Sequence, residues 1–303
     1  MSVLIECTGV TKRYGKKLAL DDVSFSCEAG SPIALVGANG AGKTTLFSLL
    51  SQFIYADSGS IKMLGLPLGD AGLQGKVSAL PQDAQLDPSF SIVRQLRLLA
   101  QLQGFSKVDA QQESERVLGL LGLSDSLNSL PAALSHGMRK RVAIAQALIG
   151  SPELVFLDEP TAGLDPENAR NIRSIIQSLS HQTTFLISSH NLEELEKLCK
   201  TVLLIEQGQL SQKKQIEEES KDCFEAFLTL KLIENAYDNA VNILRELPGV
   251  DEITHGANTH ILLRYNKSQY PTLDQRVLAS LQEAGIEYRS LMRGLSLEEK
   301  LFS

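Results

Sequence analysis

PIALVGANGAGKTTLFSLLSQF, residues 32–53, changes its pattern twice. Residues 32–36 form a compact apolar run that ends in glycine, and residues 44–53 carry apolar side chains at helical spacing, so the segment reads strand, glycine loop, helix. Between them Gly37, Ala38, Asn39, Gly40, Ala41, Gly42, Lys43 and Thr44 fit the full phosphate-loop pattern G-x-x-x-x-G-K-[ST]. The glycines let the backbone curl so that amide N–H groups point inward, and the helix N-terminus adds partial positive charge. Lys43 would then reach the β and γ phosphates, and Thr44 would ligate Mg²⁺. An ordinary glycine-rich turn needs no Lys-Thr after its last glycine.

Working outward, residues 154–157 form a second apolar run, followed at once by Asp158 and Glu159. Ligands of open α/β sheets bind at the C-terminal ends of the strands, which puts this carboxylate pair beside the loop. Asp158 would hold Mg²⁺ and Glu159 would polarise the attacking water, since phosphoryl transfer needs positioning and charge stabilisation more than covalent chemistry. Residues 184–189 are another apolar strand ending in Ser-Ser, so His190 falls at the same edge, in reach of a γ phosphate. Gln82, after the strand-like VSALP, is similarly placed and would reach Mg²⁺ or the water through its amide. The stretch ALSHGMRKRVAIAQAL, residues 133–148, sets a polar turn against a helix. Ser135 reads there as a helix N-cap and not as a hydrolase nucleophile, because no G-x-S-x-G elbow is present.

The whole chain, 303 residues with 43% hydrophobic content, can bury one good-sized core and a second smaller one. A formal charge of −7, from 29 basic and 36 acidic residues, argues against a surface that grips nucleic acid. Four cysteines without a Cys-x-x-Cys pair read as reduced, buried thiols. No signal-peptide h-region and no run of about 18 apolar residues occurs, so a soluble, cytosolic chain is expected. Residues 4–27 alternate around turn signals at Tyr14-Gly15 and Asp21-Asp22, which predicts a small antiparallel sheet. Further buried strands are expected at 76–80 and 202–205, and a helical insertion at about 84–150. The charged segment QKKQIEEESKD places a boundary that gives domains 1–218 and 219–303. In the tail, strand-like FLTLKLI, THILLRY and IEYRSLM interleave with helix-like AYDNAVNILREL and TLDQRVLASLQEA, the split βαβ order of ferredoxin-like folds. His255 and His260 read as solvated, not as metal ligands.

These residues resemble the nucleotide-binding subunits of ATP-binding cassette (ABC) transporters. The likeness runs from about residue 3 to 210 and rests on the phosphate loop at 37–44, the Q-loop Gln82, LSHGM at 134–138, LVFLDEP at 154–160, GLD at 163–165 and the switch histidine His190. The resemblance implies a P-loop NTPase α/β fold: a mixed sheet with helices on both faces, a small antiparallel β subdomain and a helical insertion, followed by a small α+β C-terminal domain. It implies ATP held by Tyr14, which would stack on adenine, by the phosphate loop and by Thr45. Mg²⁺ would sit among Thr44, Gln82 and Asp158, and catalysis would fall to Glu159, His190 and Gln82. It further implies that Ser135, His136 and Gly137 bind the γ phosphate of ATP held by a second subunit, with Asp165 at the dimer interface. LSHGM departs from the family's LSGGQ-like turn at His136 and Met138. Met138 cannot return the reciprocal capping bond that glutamine would make.

The expected partners are a second copy of the chain, in a head-to-tail homodimer closing on ATP, and an integral membrane permease on a separate chain. The subunit would then lie on the inner face of the membrane through the permease, without nucleic acid. Export is favoured over import by the C-terminal domain. Two other readings stand beside this one, a soluble ABC ATPase not tied to transport and a nucleotide-binding regulator with little turnover. The two-cassette chain and long coiled coil of the soluble classes are absent here, and Glu159 is a carboxylate that a mere binder would not need.

Overall fold

The computed structural model describes residues 3–189, 192–215, 225–233, 237–255 and 260–295. The chain divides into two compact units, Met1–Ile216 and Glu217–Ser303.

The first unit opens with a hairpin of β1 (Val3–Tyr14) and β2 (Lys17–Glu28), in which Tyr14 faces Lys17 across the Gly15 turn. The turn expected at Asp21-Asp22 is absent, because β2 runs straight through it. Asp22 instead takes φ 51° in an irregular part of the ladder. Bonds from its neighbours hold the pair, Asp21 N donating to Gly208 O at 2.8 Å and Asp22 N to Thr11 Oγ1 at 3.2 Å. Next come β3 (Ile33–Val36) and α1 (Lys43–Leu50), the strand and helix read from residues 32–53. β4 (Ser58–Met63) and β5 (Leu66–Pro67) then return to β1, giving a four-stranded antiparallel sheet of order β2-β1-β4-β5.

After β6 (Val77–Leu80) the chain is helical: α2 (Ile92–Leu102), α3 (Lys107–Leu120) and α4 (His136–Ala147), joined by loops and short 3₁₀ turns. Strands resume with β7 (Leu154–Asp158), α5 (Pro166–Leu179), β8 (Thr184–Ser188), α6 (Leu192–Leu198), β9 (Thr201–Glu206) and β10 (Gln209–Gln215). These form a six-stranded sheet of order β10-β9-β3-β8-β7-β6, parallel except for β10. Every residue of β3, β7 and β8 is buried, as strands covered on both faces require. Phe47 of α1 meets Phe156 of β7 edge-on, ring centroids 6.2 Å apart, which packs the helix against the sheet.

The second unit runs β11 (Glu225–Leu232), α7 (Tyr237–Arg245), β12 (Val250–His255), β13 (His260–Asn266), α8 (Leu273–Glu283), β14 (Tyr288–Arg293). Its antiparallel sheet has the order β12-β13-β11-β14. Leu228, Leu263, Tyr265, Leu244 and Val277 belong to a core of its own. His260 is buried, contrary to the solvated reading, because β13 is an inner strand with β12 on one side and β11 on the other. The side chain of His255 lies outside the described residues, as does Cys223.

Cys7, Cys27 and Cys199 are buried and form no disulfide among the described residues. Burial pushes the Cys199 thiol up to about 12, and burial with Cys27 and Glu6 nearby does the same for Cys7. Among the described residues no helix is long and apolar enough to cross a membrane.

Candidate nucleotide site

The glycine loop joins β3 to α1, and its shape is set by what surrounds it. A Cβ on Gly37 would stand 2.3 Å from Ile205 O, and one on Gly42 would stand 2.7 Å from Ala19 O and 2.9 Å from Leu20 Cδ2. Gly42 is also the N-cap of α1 in left-handed conformation, φ 117°, so the residue type is required twice over. Gly208, in the turn between β9 and β10, donates to Ala41 O at 2.8 Å while its own carbonyl receives Asp21 N, tying the loop to both sheets. Lys43 Nζ folds back across the curl and donates to Gly37 O at 2.5 Å and Ala38 O at 3.1 Å. A cation and a ring of backbone amides at a helix start form a receptor for phosphate oxygens.

Opposite this loop stands the carboxylate pair. β8 lies between β3 and β7, with Ser188 in register with both Leu35 and Asp158. Ser188 Oγ donates to Asp158 Oδ1, a carboxylate only 8% exposed. The next residue, Glu159, takes φ 48°, a left-handed conformation that costs a side-chain-bearing residue roughly 1–2 kcal/mol. Its N–H is held there by Ser188, at 3.1 Å from the carbonyl and 3.1 Å from Oγ. One serine therefore orients the first carboxylate and the backbone of the second.

A cavity of about 370 Å³ opens between these elements. Asn39, Gly40, Gly42, Lys43, Thr44 and Thr45 form one wall, Asp158 and Glu159 another, and Gln82 and Tyr14 close it. Gly37, Ala38 and Ala41, of the same loop, do not line it. Tyr14, half exposed at the end of β1, presents a ring face with Lys12 Nζ 5.8 Å from its centroid. Gln82 also borders a second cavity, of about 400 Å³, with His136, Arg139, Lys140 and Ala162. Burial lowers the pKa of Lys140, and the charges of Asp158 and Glu159 act against that shift, so the start of α4 shares the electrostatics of the carboxylate wall.

Ser135 caps α4 as its sequence predicts, Oγ accepting from Met138 N at 3.2 Å. Asp165 caps α5 in the same manner, accepting from Glu167 N and Asn168 N, with Asn168 Nδ2 donating at 2.7 Å to the other oxygen. The bonds from Asn168 hold the Asp165 carboxyl below the usual range. The two turns lie side by side within the chain. A Cβ on Gly137 would stand 2.3 Å from Asn168 Oδ1, and one on Gly163 would stand 3.6 Å from His136 Nε2.

The ABC transporter family model matches residues 20–162. The linearmycin resistance ATP-binding protein LnrL of Bacillus subtilis is 32% identical over 210 residues, 68% of each chain. The Nod factor export ATP-binding protein I of Burkholderia orbicola is 35% identical over 207 residues, 67% of this chain and 68% of its own. The chain belongs to the ABC transporter family. The solved structure of an ATP-binding subunit of an ABC transporter superposes with a TM-score of 0.63 at 27% identity, over 70% of this chain and 90% of the other. A nucleotide-free ATP-binding cassette from an ABC transporter gives a TM-score of 0.65 at 25% identity, over 72% and 93%.

As an ABC transporter subunit the chain binds and hydrolyses ATP, and its first unit is the α/β ABC ATPase fold expected from the sequence. The cavity gathers Tyr14, Lys43, Thr44, Thr45, Gln82, Asp158 and Glu159 from four separate stretches of sequence. His190 lies outside the described residues. Ser135, Gly137 and Asp165 do not line this cavity; they sit together at the neighbouring pair of turns. Ser188 is a further site residue, marked in the sequence only by the Ser-Ser that ends its strand. Lys17 and Ala19 line the cavity from the hairpin and carry no motif. Among the described residues no group of three His, Cys, Asp or Glu could hold a metal by itself. The oxygens of Thr44, Gln82 and Asp158 are nonetheless a hard-ligand set of the kind that suits Mg²⁺ shared with substrate phosphates and water.

Proposed function

We propose that the chain drives an exporter by closing head to tail with a second copy of itself on two molecules of ATP. The observation that carries this reading is the single cavity lined by Tyr14, the phosphate loop, Gln82 and the Asp158-Glu159 pair. In it Tyr14 stacks on adenine, the loop amides and Lys43 grip the phosphates, and Glu159 takes the proton of the attacking water. Thr44, Gln82 and Asp158 would hold Mg²⁺, which would supply positive charge to offset that of the phosphate oxygens. His190 completes the γ-phosphate contacts.

The other half of each site comes from the partner copy. Ser135, His136 and Gly137, at the start of α4, offer a capped helix end to the γ phosphate, and Asp165 faces the same interface. Support comes from the closeness of the LSHGM turn to Gly163 and Asn168, which flank Asp165. An integral membrane permease on a separate chain carries the cargo and anchors the subunit to the inner face of the membrane. Export is supported by relatives named for Nod factor export. The second unit is read as a ferredoxin-like accessory domain in dimer contact or regulation, supported by its βαββαβ order and its sheet order.

Glu159→Gln tests the reading. ATP binding is expected to persist, turnover to fall by roughly 10²-fold or more, and a nucleotide-bound dimer to accumulate. Nucleotide binding, phosphate release and size-exclusion chromatography measure these, and wild-type turnover in the variant removes Glu159 from the mechanism.

A further inference from the structure

Glu159 has a second anchor, reached through the turn that follows it. Ala162 N donates to Glu159 O and Leu164 N to Thr161 O, both at 3.2 Å, so 159–164 is a pair of linked turns that leads to Asp165. Within those turns Thr161 reaches another element, its Oγ1 donating to Glu194 Oε2 on α6 at 2.7 Å. Glu194 Oε1 in turn lies 2.7 Å from Arg173 Nη1 on α5, as a close charge pair and not an aligned hydrogen bond. The Arg173 and Glu194 side chains are 19% and 23% exposed, and Pro160, Ile176, Ile187 and Leu198 close around them. One largely shielded carboxylate therefore ties the turn after Glu159 to two helices.

We propose that Glu194 is a positioning residue for hydrolysis, acting through Thr161 to hold the Glu159 turn. The inference rests on the reading of Glu159 given above. A left-handed non-glycine residue persists only where its surroundings over-determine it. Ser188 restrains Glu159 from the strand side, and the Thr161–Glu194 bond restrains it from the turn side. A general base must lie within hydrogen-bond reach of its water, so freeing the turn lowers turnover. ATP affinity is spared, because the phosphate-gripping groups belong to β3 and α1.

The test is Thr161→Val against Thr161→Ser in the full chain, with kcat and the KM for ATP measured for each. Thr161→Val is expected to lower kcat about tenfold with KM within about twofold, the signature of a group that serves the transition state. Thr161→Ser, which keeps the hydroxyl, is expected to restore kcat. Glu194→Gln, which keeps an acceptor for Thr161, is expected to lie nearer wild type than Glu194→Leu. Wild-type kcat in Thr161→Val overturns the proposal, and so does a joint loss of kcat and affinity that serine does not rescue. Glu159→Gln assayed alongside separates the two readings. If it is inactive while Thr161→Val is normal, only the positioning role fails. If it turns over normally, the reading of Glu159 fails and takes this inference with it.

Discussion

Gly40 and Gly42 stand two residues apart in one loop, yet only one of them is enclosed. A Cβ on Gly40 meets nothing within 4 Å, so its φ of 81° is the sole cost of a side chain, roughly 1–2 kcal/mol. A Cβ on Gly42 adds collisions with the Ala19 carbonyl and Leu20 to a φ of 117°. Gly42→Ala is expected to add an overpacking cost of about 1–3 kcal/mol and to lose ATP binding along with the loop's shape. Gly40→Ala is expected to melt closer to wild type, and thermal unfolding of the pair decides the comparison. The same contrast applies to serine. Ser135 announces its role through its place before a helix, whereas Ser188 acquires one only because β8 lies between β3 and β7.

At the scale of the element, α4 and α5, at the neighbouring pair of turns, begin on side-chain caps, whereas α1 begins on Gly42 without one. Ser135 caps α4, and Asp165 with Pro166 behind it starts α5. Ser135→Ala is expected to cost about 1 kcal/mol of stability through the lost bond to Met138 N. Because Met138 returns no reciprocal bond, nothing on the side-chain level replaces it. Hydrolysis is expected to fall in that variant while the monomer's affinity for ATP stays near wild type. Titration of ATP into the monomer checks this, and a collapse of affinity there would show that the turn serves its own chain's nucleotide. The apolar strands β7 and β8 were legible because burial on both faces leaves a continuous hydrophobic run. β5 and β12, at sheet edges, were not, and neither was the six-residue β4, whose first three residues are all exposed, since such short strands have little periodicity to display.

At the scale of the whole molecule, each of the two units has a core among the described residues. One gathers residues from Leu4 to Ile205, among them Phe47, Phe156 and Leu186; the other gathers residues from Ala226 to Ile286. A unit with its own core folds by itself. A chain ending at residue 216 is therefore expected to unfold in one cooperative transition and to bind ATP within about twofold of the full chain. Calorimetry with nucleotide titration tests it, and an unfolded truncation would show that the second unit completes the first.

Local sequence was enough for the chemistry that depends on short spacing: the phosphate loop, the carboxylates at a strand's end, the cap of α4, and three strands and two helices of the tail in alternation. Each is written within a few consecutive residues, where backbone geometry and side-chain type meet directly. The tertiary structure alone decided which of these groups share a cavity, that Gly42 and not Gly40 is hemmed in, that β2 passes through Asp21-Asp22, and that His260 is buried. It also decided that Ser188 and Glu194 clamp the turn at Glu159. Such facts depend on residues that are distant in the chain and become neighbours only through strand order, and a local pattern holds no record of that order.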